Sequence, residues 1–130
     1  MTDRQHQTEE FWTRLDKFEV ATSELAREEL AQTPDPVLRA KLQALLTDFT
    51  IYPLTGEVRR LAQQYIEADV FTPIMLNDAL HVAAAVLNRQ DILASWNFKH
   101  LVNRRRRARI NDVNITLSLP MLEILAPPEV

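Results

Sequence analysis

Hydrophobic positions recur along this chain with two periods, one typical of helices and one typical of short strands. Helical periodicity predicts six helices, over residues 3–17, 23–32, 36–46, 55–66, 75–88 and 103–118. Short apolar runs predict four strands, over residues 18–22, 49–54, 91–95 and 121–125. Because strands alternate with helices, we expect an α/β fold in which helices cover both faces of a mostly parallel sheet.

Capping residues mark where several of these helices begin. Ser23, Asp35 and Thr55 each precede a helical segment, and their short polar side chains can accept a hydrogen bond from a free N–H of the first turn. Pro36 follows Asp35 and suits the first helical position, whose N–H needs no partner. These residues therefore predict helix starts directly after the first two strands and after the break at residues 34–36.

Length and composition limit the classes to which the protein can belong. A chain of 130 residues suits one hydrophobic core, so we expect a single domain spanning residues 1–130. The sequence has no apolar run of about 18 residues, which argues against a membrane span. Its polar, acidic start excludes a signal peptide, so a cytoplasmic location is expected. The absence of cysteine excludes disulfides, thiolate zinc sites and cysteine catalysis.

Charge is distributed unevenly along the chain. Six basic residues and no acid occur between residues 98 and 109, whereas the rest of the chain has nine basic and 18 acidic residues. Such a segment can contact a polyanion such as RNA, or it can be a solvated, arginine-rich helix start. Its members are Lys99, Arg104, Arg105, Arg106, Arg107 and Arg109.

Residues 77–103 contain most of the side chains that could support chemistry. Asn77 and Asp78 open an apolar helix that also carries His81, and Ser95 and Asn97 close the strand that follows. Polar groups at the carboxyl end of a parallel strand lie where open α/β sheets place their sites. Each residue also has a structural interpretation: Asn77 and Asp78 as helix caps or as complements to the helix dipole, His81 as their hydrogen-bond partner, and Asn97 as a turn residue.

Glu29 is a candidate from the first half of the chain. At 100° per residue its direction falls between those of Leu25 and Ala26, inside the apolar arc of its helix, while Glu28 falls outside. A carboxylate that faces inward must be paired, protonated or bound to a cation. The alternative is a glutamate near the helix end that reaches solvent.

Glu29, Asp78 and Asn97 together offer oxygen ligands without a thiolate or an imidazole. Such ligands suit Mg²⁺ or Mn²⁺, hard ions that activate water for phosphodiester cleavage. The basic segment that follows Asn97 would then hold the phosphate backbone near the ion.

The segments SELAREEL, NDALHVAAAV and DILASWNFKHLVN, followed by an arginine run, resemble the PIN-domain ribonucleases. The likeness extends from about Thr8 to the end of the chain and is closest to the VapC-like toxin branch, which has a similar WNFKH element. It implies a three-layer α/β/α fold with a mostly parallel sheet. It also implies Mg²⁺- or Mn²⁺-dependent cleavage of single-stranded RNA, an antitoxin protein as partner and a homodimer.

The resemblance also assigns roles to individual residues. It makes Glu29, Asp78 and Asn97 catalytic metal ligands, with Ser23 and Ser95 in supporting positions. The family opens with an apolar central strand that ends in a metal-binding aspartate, and nothing before Glu9 matches it. We therefore expect a chain that lacks the first strand and is inactive as given, or a non-catalytic remnant that binds RNA or protein.

Overall fold

The computed structural model describes residues 2–130, which form a mixed α/β structure with six α-helices and four short strands. The α/β class expected from the sequence is confirmed. The helices are α1 (Asp3–Thr13), α2 (Glu24–Ala31), α3 (Pro36–Leu45), α4 (Gly56–Glu67), α5 (Leu76–Leu87) and α6 (Arg104–Thr116). The strands are β1 (Ala21–Ser23), β2 (Thr50–Tyr52), β3 (Ile92–Ala94) and β4 (Glu123–Leu125).

The predicted helix caps are present. Ser23 Oγ accepts a hydrogen bond from the backbone N–H of Ala26 at 3.1 Å, and Thr55 and Asp35 cap α4 and α3 in the same way. The first helix is shorter than predicted: α1 ends at Thr13, and residues 15–17 form a separate 3₁₀ turn. Local side-chain chemistry thus fixed three helix starts correctly, whereas amphipathic periodicity placed the end of α1 too late.

The strands are parallel, as expected, but they form two separate sheets among the described residues. β1 pairs with β2 in the register Ala21↔Thr50, and β3 pairs with β4 in the register Ile92↔Glu123. Each strand has three residues, fewer than any of the predicted runs. Apolar runs identify residues that can join a sheet, but the paired length depends on a neighbouring strand that local sequence does not specify.

The hydrophobic core lies in the second half of the chain. Its largest buried members come from α4, α5, α6 and β4 and from the segment after α4, among them Tyr65, Phe71, Ile110 and Ile124. The Tyr65 hydroxyl donates a hydrogen bond to the side-chain oxygen of the buried Asn114, so both polar groups are satisfied. α5 is buried from Ala79 to Val86 except at one histidine, as its sequence predicts. None of the helices in residues 2–130 has the length and apolar content needed to cross a membrane.

Candidate functional site

A cavity of about 790 Å³, here called the inter-sheet groove, lies between β1 and β3. α5 contributes Ala84 and Ala85 to its wall, and α1 contributes Phe11 and Trp12. The groove extends to Ser23, the last residue of β1, and to the residue that follows β3. The groove therefore lies between the two sheets and reaches the carboxyl ends of β1 and β3, where the sequence predicts a site.

Glu29 and His81 join α2 to α5. His81 Nε2 lies 3.0 Å from Glu29 Oε1, and 47% of the glutamate side chain is exposed. The prediction that Glu29 points inward is therefore only partly correct. Its side chain contacts α5, but about half of that side chain stays in solvent because α2 lies at the surface. The predicted partners of His81, Asn77 and Asp78, were also wrong, since the histidine lies one turn further along α5 and faces α2 instead.

Asp78 is paired with a histidine that the sequence analysis did not single out. His100 Nδ1 lies 2.8 Å from Asp78 Oδ2, and both side chains are half-buried. The capping role predicted for Asn77 and Asp78 was wrong, because the N-cap of α5 is Met75 and no side chain caps it. Asp78 still lies in the first turn, where the helix dipole favours a negative charge.

Asn97 and Ser95 organise the turn that follows β3. The backbone N–H of Asn97 donates to Ser95 Oγ at 3.0 Å, and Asn97 Oδ1 accepts from the backbone N–H of His100 at 2.9 Å. The predicted turn role of Asn97 is confirmed. Within this turn His100 contacts both Asn97 and Asp78, so these two side chains share one neighbour.

His100 is the site residue that sequence reasoning missed. The available signal was its position three residues after Asn97, the spacing at which an asparagine side chain caps a turn. Local sequence could not predict the contact of His100 with Asp78, because the two residues are 22 positions apart in the chain. Two carboxylate–histidine pairs therefore lie on the first two turns of α5, one toward α2 and one toward the turn after β3.

The oxygen atoms of Glu29, Asp78 and Asn97 are of the kind that binds a hard cation. Two carboxylates and one amide oxygen are present, and Mg²⁺ is commonly held by one or two carboxylates together with waters and substrate phosphates. Within residues 2–130 there is no group of three or more acidic or histidine side chains arranged to hold a metal ion. Glu29 and Asp78 each have their own histidine partner, so an ion would compete with both hydrogen bonds.

The basic segment divides into two groups in the structure. Arg106, Arg107 and Arg109 donate to the backbone carbonyl oxygens of His100, Ile124 and Asp69, respectively. Arg106 also lies over the ring of Phe71. The remaining three members are exposed side chains, those of Lys99, Arg104 and Arg105. These three offer the more accessible positive charge beside the turn after β3.

Comparisons of the chain with protein-family models, with curated proteins and with solved structures find no match.

Proposed function

We propose that this domain is a PIN-like endoribonuclease of the VapC-like toxin type, which uses Mg²⁺ or Mn²⁺ to cleave single-stranded RNA. The observation that best supports this proposal is the position of the three expected ligands around the start of α5. Asp78 and Asn97 share the neighbour His100, and Glu29 contacts the same helix one turn further on. The three-layer PIN fold, a cytoplasmic location, an antitoxin partner and a homodimer belong to the same proposal.

Asp78 and Glu29 would hold the ion, and Asn97 would add a neutral oxygen. When bound, Mg²⁺ or Mn²⁺ lowers the pKa of a coordinated water and offsets the charge of the phosphate. His100 and His81 hold the two carboxylates in place before the ion binds, through contacts of 2.8 and 3.0 Å. Ser95 fixes the turn that presents Asn97.

The exposed cations supply the contacts to RNA in this proposal. Lys99, Arg104 and Arg105 are solvent-exposed and lie within eight residues of Asn97 in the sequence. Contacts between such side chains and phosphates position a nucleic acid without reading its bases. Cleavage would therefore require that the RNA backbone can approach α5, whatever the base sequence.

The primary test is Mn²⁺ binding, measured by titration calorimetry, together with Mg²⁺- and Mn²⁺-dependent cleavage of an unstructured RNA. We expect Asp78→Asn and Glu29→Gln each to weaken Mn²⁺ binding at least tenfold, because each removes one of two anionic ligands. Any cleavage should fall in parallel. Glu28→Gln and Asp112→Asn are matched controls, since both alter exposed carboxylates outside the site.

Unchanged Mn²⁺ affinity in both site variants would reject the metal site. Equal losses of Mn²⁺ affinity in the site variants and in their controls would show a general charge effect. That result would also reject the metal site. Metal binding is the more direct measurement, because the resemblance assigns one further ligand to a strand with no counterpart in residues 1–8.

A second candidate function is a non-catalytic module that binds RNA or protein. It is favoured by the hydrogen bonds that already occupy Glu29 and Asp78. This function predicts RNA binding that is unaffected by Asp78→Asn and weakened by a joint Lys99, Arg104 and Arg105 to alanine variant. RNA binding that needs Mn²⁺ and Asp78 would favour the enzyme instead.

A further inference from the structure

Two aromatic side chains follow β3, and one of them is exposed to solvent. Phe98 is 46% exposed, and it is the only exposed large apolar residue between residues 77 and 114. Trp96 is half-buried, and the centroids of the two rings are 6.1 Å apart with their planes tilted by 56°. We call this pair the aromatic platform. Its outer ring, that of Phe98, does not serve the hydrophobic core.

The turn that carries Phe98 is fixed by its own backbone and by the core. Leu101 and Val102, later in the same turn, are buried. Their backbone N–H groups donate to the carbonyl oxygen of Asn97 at 2.9 and 2.8 Å, respectively. Because the apolar side chains of Leu101 and Val102 already anchor the turn, Phe98 stays on its outer side.

Helix α1 supports the aromatic platform from the opposite side. Trp96 Nε1 donates a hydrogen bond to Thr8 Oγ1 at 2.8 Å. The guanidinium carbon of Arg4 lies 4.9 Å from the centroid of the Trp96 ring and 5.9 Å from that of Phe98. A cation is attracted to the face of an aromatic ring. These contacts hold both rings before any ligand binds, which lowers the entropy lost on binding.

Positive charge surrounds the exposed ring. Lys99 is exposed and follows Phe98 directly, and Arg104 and Arg105 are exposed at the start of α6. The side chain of Asn103 donates to the carbonyl oxygen of Lys99 at 2.9 Å, so the start of α6 lies against the same turn. No acidic residue occurs between residues 96 and 109. The platform therefore combines one exposed aromatic ring with several cations, rather than a contiguous apolar patch of the kind that binds proteins.

Single-stranded nucleic acid matches both parts of this surface. Its phosphates pair with cations, and each unpaired base has a flat face that stacks on an aromatic side chain. In a duplex those faces are already stacked on neighbouring bases, so unpaired nucleotides are the ones that aromatic side chains bind. An acidic peptide would satisfy the cations but offers no base to the ring.

We propose that Phe98 stacks on one unpaired base of single-stranded RNA, while Lys99, Arg104 and Arg105 contact phosphates of the same strand. This inference rests on the proposed function, since it names how the RNA is held beside the metal site. Phe98 follows Asn97 directly in the chain, so the stacked base belongs to a nucleotide near that site. Because every base has a flat face, the contact selects unpaired RNA rather than a particular sequence.

Two probes of equal charge test the proposal. One is a uridine decanucleotide, and the other is an abasic decamer with the same ribose–phosphate backbone. Their affinities are measured by titration calorimetry, once in EDTA and once with Mn²⁺. We expect the unmodified chain to bind the uridine decamer at least about fivefold more tightly, because only that probe can stack. The ring-proton resonances of Phe98 should shift with the uridine decamer and not with the abasic one.

Variants of the exposed ring provide a second measurement. Phe98→Leu keeps an apolar side chain but removes the aromatic face, so the preference for the uridine decamer should disappear while affinity for the abasic decamer stays the same. Phe98→Tyr should keep the preference. Phe18→Leu is the matched control, since Phe18 is 42% exposed and lies ahead of β1. If Phe98→Leu fails to fold, the two probes and the Phe98 resonances of the unmodified chain still decide the result.

Three outcomes would overturn the proposal, and they are distinguishable from failure of the metal site. Equal affinity for the two decamers would show that RNA is held by its phosphates alone. An undiminished preference for the uridine decamer in Phe98→Leu would place the base elsewhere. Binding of neither decamer would reject both base stacking and the proposed action on RNA. A base preference that depends on Phe98 in a chain that binds no Mn²⁺ would support the stacking site and reject the nuclease.

Discussion

The two halves of this chain bury very different amounts of apolar surface. The nineteen buried residues that form the hydrophobic core of residues 2–130 all lie between Val58 and Ala126. Within residues 2–57 only Ser23 is buried, and α1, α2 and α3 have no buried residue. The first half therefore obtains its secondary structure chiefly from caps and local preferences, whereas the second half also has a core.

This difference has a thermodynamic consequence. Most helix stability in proteins comes from burial of an apolar face, and short isolated helices are marginal in water. We therefore expect residues 2–57 to open at a lower free energy than residues 58–126. The inter-sheet groove lies where the two halves meet, since residues of both halves line it.

The largest effect should come from the core. Leu61 in α4 is 3% exposed, and Leu38 in α3 is 40% exposed. Leu61→Ala should lower the free energy of unfolding by about 2–5 kcal/mol, because it removes buried carbon and leaves a cavity. Leu38→Ala should cost less than about 1 kcal/mol. Urea unfolding of both variants measures the difference, and equal losses would contradict the proposed division of the core.

A pair of tyrosines offers the next comparison. Tyr65→Phe leaves the buried side-chain oxygen of Asn114 without its donor, which should cost about 1–3 kcal/mol. Tyr52 in β2 accepts only a long hydrogen bond, 3.4 Å from Gln90. Tyr52→Phe should therefore change the free energy of unfolding by less than about 0.5 kcal/mol. A larger loss of unfolding free energy in Tyr52→Phe than in Tyr65→Phe would contradict the expectation that the buried hydrogen bond of Tyr65 is the more stabilising one.

Tyr65 should also make the protein sensitive to alkaline pH. Burial raises the pKa of Tyr65 well above its ordinary value of about 10, and the hydrogen bond to Asn114 offsets only part of that rise. Above about pH 10 the unfolded chain loses a proton that the folded chain keeps, so stability falls as pH rises. Urea midpoints from pH 8 to 11 should fall less steeply in Tyr65→Phe.

The smallest effects should come from two helix caps. Thr55→Ala and Ser23→Ala each remove one capping hydrogen bond, with an expected cost of about 1 kcal/mol to the helix concerned. α4 packs in the core, so the loss at Thr55 should appear as global destabilisation. α2 has no buried residue, so the loss at Ser23 should appear mainly as faster amide exchange within α2. A uniform change of exchange across the chain in Ser23→Ala would contradict this expectation.

Sequence predicted local features of this fold better than distant contacts. Ser23, Asp35 and Thr55 were assigned correctly because a cap depends on atoms three residues away. The hydrophobic pattern did not predict the division into two sheets, because strand pairing joins residues about 30 apart, as in Ala21 and Thr50. No local pattern states which strand lies beside which.

The same limit applies to the candidate site. The pairing of His81 with Glu29 spans 52 residues, and the helical spacing around His81 favoured the wrong partners. His100 was overlooked because its role depends on Asp78, which comes from another element. Sequence could therefore propose the acidic groups, but it could not show that each carboxylate has its own histidine.

The division of the arginine run determines how strongly salt should affect a complex with single-stranded RNA. Each phosphate contact releases condensed counterions and adds about −0.7 to the slope of log affinity against log salt concentration. If all six basic residues of the segment made such contacts, the slope would be roughly −4. Arg106, Arg107 and Arg109 instead bind backbone carbonyl oxygens of the domain. With only the three exposed cations contributing, the slope is roughly −2, so a rise in salt weakens the complex far less than the sequence suggests.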